Sequence, residues 1–237
     1  MIYSIVVPLK DEADNIEDLI HEIEPVMQKV TGNFQDMWEM ICVDDGSSDA
    51  TLTVLKKLAK DKPFLKIVAL DKNYGQSLAF DAGFKKAKGK WIITLDGDRQ
   101  NDPQDIPHLL AFKDEFDLVA GYREKRQDPW HKKIISKLAN SVRKRVCQDN
   151  MKDTGCSLKV YRASCLSHIK MYKGMHRFLP ALFKIEGFTV TEVFVNHRPR
   201  VKGKTKYNIF NRCNTIIDMF AVWWMSKRRV DYKIKNL

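Results

Sequence analysis

Hydrophobic positions in the first half of the chain form short apolar runs separated by segments of helical spacing. Five runs have the length and β-branched composition of strands: residues 2–8, 38–43, 65–70, 91–95 and 117–120. Helical spacing lies between them, at residues 15–30, 50–60, 77–88 and 103–112. The first run has no polar alternation, as is typical of a strand buried on both faces. The alternation of strands and helices along the chain predicts an α/β fold with a mostly parallel sheet flanked by helices.

The pattern changes after Gly121. Residues 122–148 are basic and have helical spacing, and further strands are predicted at 157–161 and 189–196, with a helix at 179–185. Residues 198–207 are basic and lack hydrophobic periodicity, which predicts a loop. A last helix, at about 208–225, has an apolar stripe followed by three basic residues. The stripe consists of Phe210, Cys213, Ile217, Phe220, Ala221 and Trp224, flanked by Ile216 and Trp223.

That last helix has two interpretations. It can pack on the domain as an amphipathic core helix, which is the commoner case. Alternatively, its aromatic residues enter a lipid interface while Lys227, Arg228 and Arg229 contact anionic headgroups. The longest apolar run near this end, residues 219–225, is far shorter than the roughly 20 residues that span a bilayer. The sequence therefore predicts no membrane span, and both interpretations of the last helix stay open.

Acidic side chains follow three of the predicted strands. They are Asp11 and Glu12 after the first, Asp44 and Asp45 after the second, and Asp96 and Asp98 after the fourth. Ligands of open α/β sheets bind outside the carboxyl ends of the strands, so we expect these groups at one edge. The dinucleotide fingerprint and the P-loop are both absent, which argues against a Rossmann dehydrogenase or a P-loop NTPase.

The segment after the fourth strand is the strongest candidate for a metal site. Asp96, Asp98 and Gln100 alternate with other residues, so an extended backbone would direct all three to one side, with Gly97 allowing a turn. Oxygen ligands suit Mg²⁺ or Mn²⁺, which keep positions for substrate phosphates. A calcium loop fits worse, because Asn101 stands where that loop needs Gly and Pro107 where it needs Glu. Turn chemistry alone also clusters Asp and Gly, so this motif is weak by itself.

The charge of the chain is divided unevenly. Residues 1–121 contain 14 Lys and Arg against 22 Asp and Glu, whereas residues 122–237 contain 27 against 8, giving net charges of −8 and +19. The basic half predicts an anionic partner: nucleic acid, anionic lipid or a phosphorylated substrate. A solvated basic surface is the alternative. The five cysteines are odd in number and form no C-x-x-C pair, which predicts buried thiols rather than disulfides or a zinc site.

Six segments in fixed order and spacing resemble family 2 glycosyltransferases of the polyprenyl-phosphate class, which includes dolichyl-phosphate mannose synthase and undecaprenyl-phosphate sugar transferases. They are SIVVPLKDEADNI (4–16), VDDGSSDAT (43–51), NYGQSLAFDAGF (73–84), TLDGDRQNDP (94–103), DTGCSLKVYR (153–162) and RVKGKTKY (200–207). The resemblance implies a GT-A-type domain over residues 1–207, with a nucleotide-sugar half at 1–121 and an acceptor half at 122–207. Residues 208–237 would form an amphipathic helix and a basic tail.

The resemblance also implies roles for individual residues. The base pocket falls on Pro8, Glu12 and Asp45, and the metal and diphosphate site on Asp96, Asp98 and Gln100. Phosphate-binding and acceptor-side positions fall on Arg123, Asp153, His176, Arg177 and the loop from Arg200 to Lys206. We single out Asp98, Arg123 and Asp153 as catalytic candidates. Lys10 departs from the aromatic residue common in relatives, so uridine and guanosine both stay open.

The predicted activity is inverting transfer of a sugar from a UDP- or GDP-sugar to a polyprenyl phosphate, with Mg²⁺ or Mn²⁺, at the cytoplasmic face of a membrane. Lys132 or Lys133 would help Arg123 to hold the acceptor phosphate. A homo-oligomer or a membrane subunit is a further possible partner. One alternative is transfer to a hydroxyl of a cell-envelope glycan, for which Asp153 would be the general base. Another is a nucleic-acid-binding module, which the acidic first half and the lack of a nucleic-acid motif disfavour.

Overall fold

The computed structural model describes residues 1–32, 34–123, 151–199 and 210–230. Several predictions lie outside these residues: most of the basic helix at 122–148, with Lys132 and Lys133, and the loop that contains Arg200 and Lys206. The side chains of Phe210 and Cys213 are also outside the described part.

Seven strands form one sheet. They are β1 (Tyr3–Leu9), β2 (Trp38–Asp44), β3 (Leu65–Ala69), β4 (Trp91–Thr94), β5 (Leu118–Tyr122), β6 (Lys159–Arg162) and β7 (Val190–Phe194). Their spatial order is β3, β2, β1, β4, β6, β5, β7. Only β6 runs against its neighbours, pairing antiparallel with both β4 and β5. The predicted α/β class with a mostly parallel sheet is confirmed, and strands from both predicted halves of the domain share that sheet.

The described helices are α1 (Ala13–Thr31), α2 (Thr51–Leu58), α3 (Gln76–Lys86), α4 (Ile106–Leu110), α5 (Ala163–Leu166), α6 (Leu179–Ile185) and α7 (Phe210–Arg228). Helix α1 contains Pro25 and ends at Gly32, whose left-handed backbone (φ 63°) lets its N–H bond the carbonyl of Gln28. Three-residue and four-residue 3-10 turns at Pro103–Asp105 and Met175–Phe178 precede α4 and α6.

The sheet is covered on both faces. In β1, Ile5, Val6 and Val7 are all fully buried, because Ile5 and Val7 pack in one core with α1, α2 and α4 while Val6 packs in another with α3, α5 and α6. This arrangement explains why the sequence of β1 shows no polar alternation. The cysteines in the described part, Cys42, Cys156 and Cys165, are buried free thiols, as predicted.

Helix α7 packs on the domain through residues that lie outside the predicted apolar stripe. Met219 and Val222 are buried against Met175, Phe178 and α6 in a third core. The predicted apolar stripe faces outward instead: Ile217, Phe220 and Trp224 are 67%, 55% and 57% exposed. The described part of the helix therefore has apolar residues on both its packed side and its exposed side. The predicted amphipathic character, with one apolar and one polar face, is not confirmed. Among the described residues, no helix is long and apolar enough to cross a membrane.

Candidate active site

A cleft of about 500 Å³ opens at the carboxyl ends of β1, β2 and β4. This is the edge at which the acidic side chains were expected to meet. Seven predicted site residues line it: Pro8, Glu12, Asp45, Asp96, Asp98, His176 and Arg177. Residues that the sequence did not single out as site residues complete the wall: Lys10, Asn73, Gln76, Ser77, Lys173, Thr215 and Asp218.

The turn after β4 differs from the expected extended segment. Strand β4 ends at Thr94, the chain turns at Gly97 and Asp98, and Arg99 adopts a left-handed backbone with φ of 61°. The alternation argument for Asp96, Asp98 and Gln100 was therefore wrong, because it assumed an extended backbone. Asp96 and Asp98 still line the cleft, whereas Gln100 does not, and its backbone N–H donates to Asp98 Oδ1 at 3.1 Å.

Position 97 requires glycine, because the backbone there lies very close to the side chain of Leu9. A Cβ atom at this position would lie 2.4 Å from Cδ2 of Leu9, a distance that packed side chains do not tolerate. Leu9 is itself buried at the end of β1. The missing side chain thus allows the turn with the two carboxylates to lie directly against the end of the neighbouring strand.

Asp96 and Asp98 form a pair whose negative charges disfavour each other. Burial, together with the charge of Asp98, raises the pKa of Asp96 to about 6. The Asp96 carboxylate accepts a hydrogen bond from Gln76 Nε2 at 2.6 Å. Two adjacent carboxylates in a cleft with room for phosphates suit a divalent ion, which usually takes one or two carboxylates and completes its shell with substrate oxygens. Among the described residues, no group of three or more His, Cys, Asp or Glu forms an all-protein metal site.

Asp45 shapes the cleft through the backbone. Its two oxygens accept hydrogen bonds from the N–H groups of Tyr74, at 2.7 Å, and Gly75, at 2.9 Å. Gly75 precedes α3 with φ of 92°, so the carboxylate fixes the turn from which that helix starts. The first residues of α3, Gln76 and Ser77, reach the cleft because of this turn. The sequence could have indicated these two positions as site residues, because a helix that begins at the carboxyl edge of a sheet commonly binds anionic ligands at its first residues.

Residues after β1 complete this end of the cleft. Lys10 Nζ donates to the carbonyl oxygen of Gly46 at 2.5 Å, so the lysine that departs from the family pattern joins the ends of β1 and β2. Glu12 Oε2 accepts from Asn15 Nδ2 at 2.7 Å, and the Glu12 backbone N–H donates to Thr51 Oγ1 at 2.9 Å. The predicted base-pocket residues Pro8, Glu12 and Asp45 thus line one end of the same cleft.

His176 lies deep in the wall of the cleft. Its Nδ1 atom is 2.6 Å from Ser77 Oγ, and its backbone N–H donates to the same oxygen at 3.3 Å. Burial, with the positive charges of Arg177 and Lys159, lowers the pKa of His176 to about 3. The imidazole is therefore neutral at physiological pH and acts as a hydrogen-bonding group rather than a cation.

Helix α7 closes the far end of the cleft. Arg177 Nη1 donates to Thr215 Oγ1 at 3.2 Å, and Asp218 approaches Gly174 so closely that a Cβ there would lie 2.1 Å from Asp218 Oδ2. Lys173 lies across from Gly75, with its Cε atom 4.0 Å from the Cβ position of that glycine. No sequence signal pointed to Thr215 or Asp218, because they are about 40 residues from this turn and follow no predicted strand.

Arg123 and Asp153, two of the predicted catalytic residues, bind each other outside the cleft lining. Arg123 donates to the Asp153 carboxylate from Nε, at 2.6 Å, and from Nη2, at 3.1 Å. Burial opposes the charge of Arg123, but these bonds raise its pKa. Asp153 also accepts from the Gly155 N–H, at 3.0 Å, and Glu192 Oε1 holds the Asp153 backbone N–H at 3.1 Å. Asp153 is thus a turn carboxylate paired with an arginine, and its role as a general base stays a prediction.

Comparison with known proteins places the chain in a family. Residues 4–170 match the model of glycosyl transferase family 2, and this chain belongs to that family. It is 37% identical over 230 residues to the dodecaprenyl-phosphate galacturonate synthase of Rhizobium johnstonii, covering 94% of this chain and 67% of the relative. It is 33% identical over 219 residues to the undecaprenyl-phosphate 4-deoxy-4-formamido-L-arabinose transferase of Edwardsiella ictaluri, covering 91% and 66%. The chain thus spans about two thirds of the length of these relatives.

The fold has solved counterparts. A mannosyltransferase from Pyrobaculum calidifontis, in complex with GDP-Man and Mn²⁺, superposes with a TM-score of 0.67 at 18% identity, covering 92% of this chain and 63% of that one. At this identity the likeness concerns the fold, and it confirms the expected GT-A-like architecture.

Proposed function

We propose that this chain transfers a sugar, with inversion, from a nucleotide-diphosphate sugar to a polyprenyl phosphate. The observation that carries the proposal is a cleft lined by the carboxylates Asp96 and Asp98 and also by the cations Lys173 and Arg177. One side is suited to a metal–diphosphate complex and the other to a second anion. Two relatives above 30% identity carry names of sugar transferases that act on polyprenyl phosphates, which supports this substrate class.

The donor occupies the end of the cleft at β1 and β2. Pro8 and Glu12 would contact the nucleotide base, while Asp45 holds the turn at Tyr74 and Gly75 against which the nucleotide lies. The base is left open between uracil and guanine, because Lys10 stands at the position where the resemblance implies an aromatic residue, and its Nζ is bound to the Gly46 carbonyl.

Asp96 and Asp98 would hold Mg²⁺ or Mn²⁺, which would offset the negative charge of the nucleoside diphosphate as it leaves the anomeric carbon of the sugar. Gln76 keeps the Asp96 carboxylate in place. The basic loop predicted at Arg200–Lys206 would add charge on the donor side, and Gln100 orients Asp98 through its backbone N–H. Asp98 is the residue whose loss we expect to be most damaging.

The acceptor supplies its own nucleophile. A phosphate monoester oxygen is already anionic, so the reaction needs positioning and charge compensation rather than a strong base. Arg177 and Lys173 would position this phosphate, and neutral His176 would accept or donate a hydrogen bond at the cleft wall. Arg123, paired with Asp153, adds positive charge behind Asp96. A glycan hydroxyl would require a base, whereas both carboxylate oxygens of Asp153 already accept hydrogen bonds from Arg123.

The lipid tail of the acceptor would leave the cleft along α7. The exposed residues Phe220, Trp223 and Trp224 form an apolar surface on that helix, and Lys227 and Arg228 follow it. Such a surface suits the lipid interface, with basic residues on anionic headgroups. We therefore place the chain at the periphery of a membrane, on its cytoplasmic face. A membrane subunit or a second copy of the chain remains a further partner of this surface.

The deciding experiment is transfer of radiolabelled sugar from a panel of UDP- and GDP-sugars to undecaprenyl phosphate, with Mg²⁺, with Mn²⁺ and with chelator. We expect lipid-linked product from one donor, lost with chelator and lowered at least a hundredfold in Asp98→Asn. Asp81→Asn is the matched control, because Asp81 lies on α3 and pairs with Lys85 outside the cleft. Donor hydrolysis without lipid product, or product unaffected by Asp98→Asn, would contradict the proposal.

A further inference from the structure

A network of ion pairs lies behind the turn that carries Asp96 and Asp98. Arg99, the left-handed residue of that turn, directs its guanidinium away from the cleft to helix α1. There its Nη1 pairs with Asp18 Oδ2, and its Nε lies 3.1 Å from Glu22 Oε1. The Arg99 and Glu22 side chains are only 18% and 25% exposed, so their contact is partly shielded from water, whereas Asp18 is 47% exposed.

Glu22 uses its other oxygen for a second arginine. Arg198 Nη1 donates to Glu22 Oε2 at 2.7 Å, and Arg198 Nη2 donates to Asp102 Oδ1 at 2.7 Å. The backbone N–H of Arg198 also donates to the carbonyl of Gln100 at 2.9 Å. A single glutamate on α1 thereby bridges the turn after β4 and the segment that follows β7.

The left-handed backbone of Arg99 costs free energy, which the ion pairs offset. A non-glycine residue with φ near 60° carries roughly 1 kcal/mol or more of backbone strain. Arg99 holds this conformation next to Asp98, and Gln100 follows it with the N–H that orients the Asp98 carboxylate. A forked, charge-assisted arrangement of hydrogen bonds is strong enough to offset strain of this size. The position of Asp98 in the cleft therefore depends on contacts made on the opposite side of the turn.

We propose that Glu22 is a positioning residue for the metal–diphosphate turn, acting through Arg99, and that it couples this turn to the segment at His197 and Arg198. The inference about activity rests on the proposed function, but the coupling itself does not. It requires only that the charge of Glu22 holds both segments through Arg99 and Arg198, in addition to the backbone hydrogen bond that joins Arg198 to Gln100.

The first test is hydrogen–deuterium exchange of backbone amides in wild type and in Glu22→Gln. We expect exchange at residues 97–101 and at 197–198 to rise roughly fivefold in the variant, since a shielded ion pair of about 1 kcal/mol is lost. The matched control is Glu24→Gln, because Glu24 is on the same helix, is similarly exposed and pairs with Lys62 instead. We expect Glu24→Gln to leave both segments unchanged.

A double-mutant cycle separates coupling from a general loss of stability. Asn tolerates the left-handed conformation, so Arg99→Asn retains the turn without the ion pairs. In that background Glu22→Gln has no Arg99 ion pair to release, so exchange in the turn at residues 97–99 should not change. Exchange at 197–198 still rises through Arg198, and so does exchange at Gln100 and Asn101, whose backbone bonds that segment. An effect of Glu22→Gln on the turn that persists in the Arg99→Asn background would overturn the proposal, as would equal effects of Glu22→Gln and Glu24→Gln.

The functional readout is Mn²⁺-dependent binding of UDP and of GDP, measured by calorimetry. Glu22→Gln is expected to weaken the apparent affinity for Mn²⁺ several-fold in the wild-type background and not in the Arg99→Asn background. Unchanged Mn²⁺ affinity in Glu22→Gln would refute the positioning role. If wild type bound neither nucleotide, the proposed function would fail, while the exchange experiment would still decide whether Glu22 couples the two segments.

Discussion

At the scale of single residues, several polar side chains of the cleft form hydrogen bonds with other groups of the cleft wall. Asp45 holds the turn before α3, Gln76 holds Asp96, and Ser77 holds His176. Each of these groups limits the motion of a neighbour that faces the cleft. Preorganisation of this kind lowers the cost of arranging charge around a diphosphate.

His176 gives a pH-dependent prediction. Its pKa is about 3 in the folded chain and near 6.5 when unfolded, so the unfolded state binds more protons between these values. Stability from the neutral imidazole is therefore lost as the pH falls from about 6.5 towards 3, by up to about 1.4 kcal/mol per pH unit. His176→Gln should remove this contribution.

The measurement is urea unfolding of wild type and His176→Gln at several pH values between 7 and 4. The difference between the two proteins isolates His176, because Asp96 has a raised pKa and contributes with the opposite sign in both. His21→Gln, at an exposed position on α1, is the control and should run parallel to wild type. A difference that does not change with pH would mean that His176 is not buried as a neutral group.

Site residues that follow strands could be predicted from the hydrophobic pattern, and the resemblance supplied His176 and Arg177, whereas the residues contributed by helix α7 could not be predicted. Asp45, Asp96 and Asp98 come directly after apolar runs, and the topology of parallel strands brings such positions together. Thr215 and Asp218 reach the cleft only because α7 packs beside the turn at Gly174. The backbone of Arg99 escaped prediction for a different reason: Gly97 was the obvious residue for a turn, but ion pairs hold the left-handed conformation at an arginine.

At the scale of elements, α7 is the part for which the sequence left two interpretations open, a packing face or a lipid-facing surface. In the structure Met219 and Val222 pack, while Phe220 and Trp224 of the predicted stripe are exposed. A helix with apolar residues on two sides has no periodic signal that distinguishes the core side from the outer side. Only the neighbouring turn at Met175–Phe178 and α6 decide which side is buried.

The exposed side of α7 predicts membrane binding that is separable from stability. Trp223 and Trp224 are 41% and 57% exposed, so replacing both with Ser should change the unfolding temperature little. The same change should weaken binding to vesicles containing anionic lipid at least tenfold, since two interfacial aromatic residues are lost. Vesicle flotation and differential scanning fluorimetry measure the two effects.

Val222→Ser is the matched control within the helix. Val222 is fully buried, so its replacement should lower the unfolding temperature while leaving the exposed surface in place. If the double Trp variant bound vesicles as tightly as wild type, the exposed side of α7 would have another partner.

At the scale of the whole molecule, the acidic cleft edge and the basic second half have opposite electrostatic roles. The first 121 residues carry a net charge of −8 and the remainder +19. In the proposed function, the acidic half would attract a divalent ion and the basic half would attract anionic surfaces. The α/β class and the location of the cleft were predictable because both follow from the order of strands and helices along the chain.

The charge division predicts salt-dependent association with membranes. Raising the salt concentration from about 0.1 M to 0.5 M should weaken binding to anionic vesicles at least tenfold and leave binding to neutral vesicles unchanged. The Trp223→Ser, Trp224→Ser double variant should keep the same salt dependence at lower affinity. Binding to anionic vesicles that is insensitive to salt would contradict a role for the basic half.

The antiparallel strand β6 has a consequence for synthesis of the chain. Strand β5 is paired only with β6 and β7 among the described strands, and β6 separates it from β4. On a ribosome, β1 to β4 can pair as soon as they emerge, but β5 must wait for residues 159–162 before it has a neighbour in the sheet. Until then β4 presents an open edge and β5 an unpaired apolar segment, which is the interval in which a nascent chain is most exposed to misassembly.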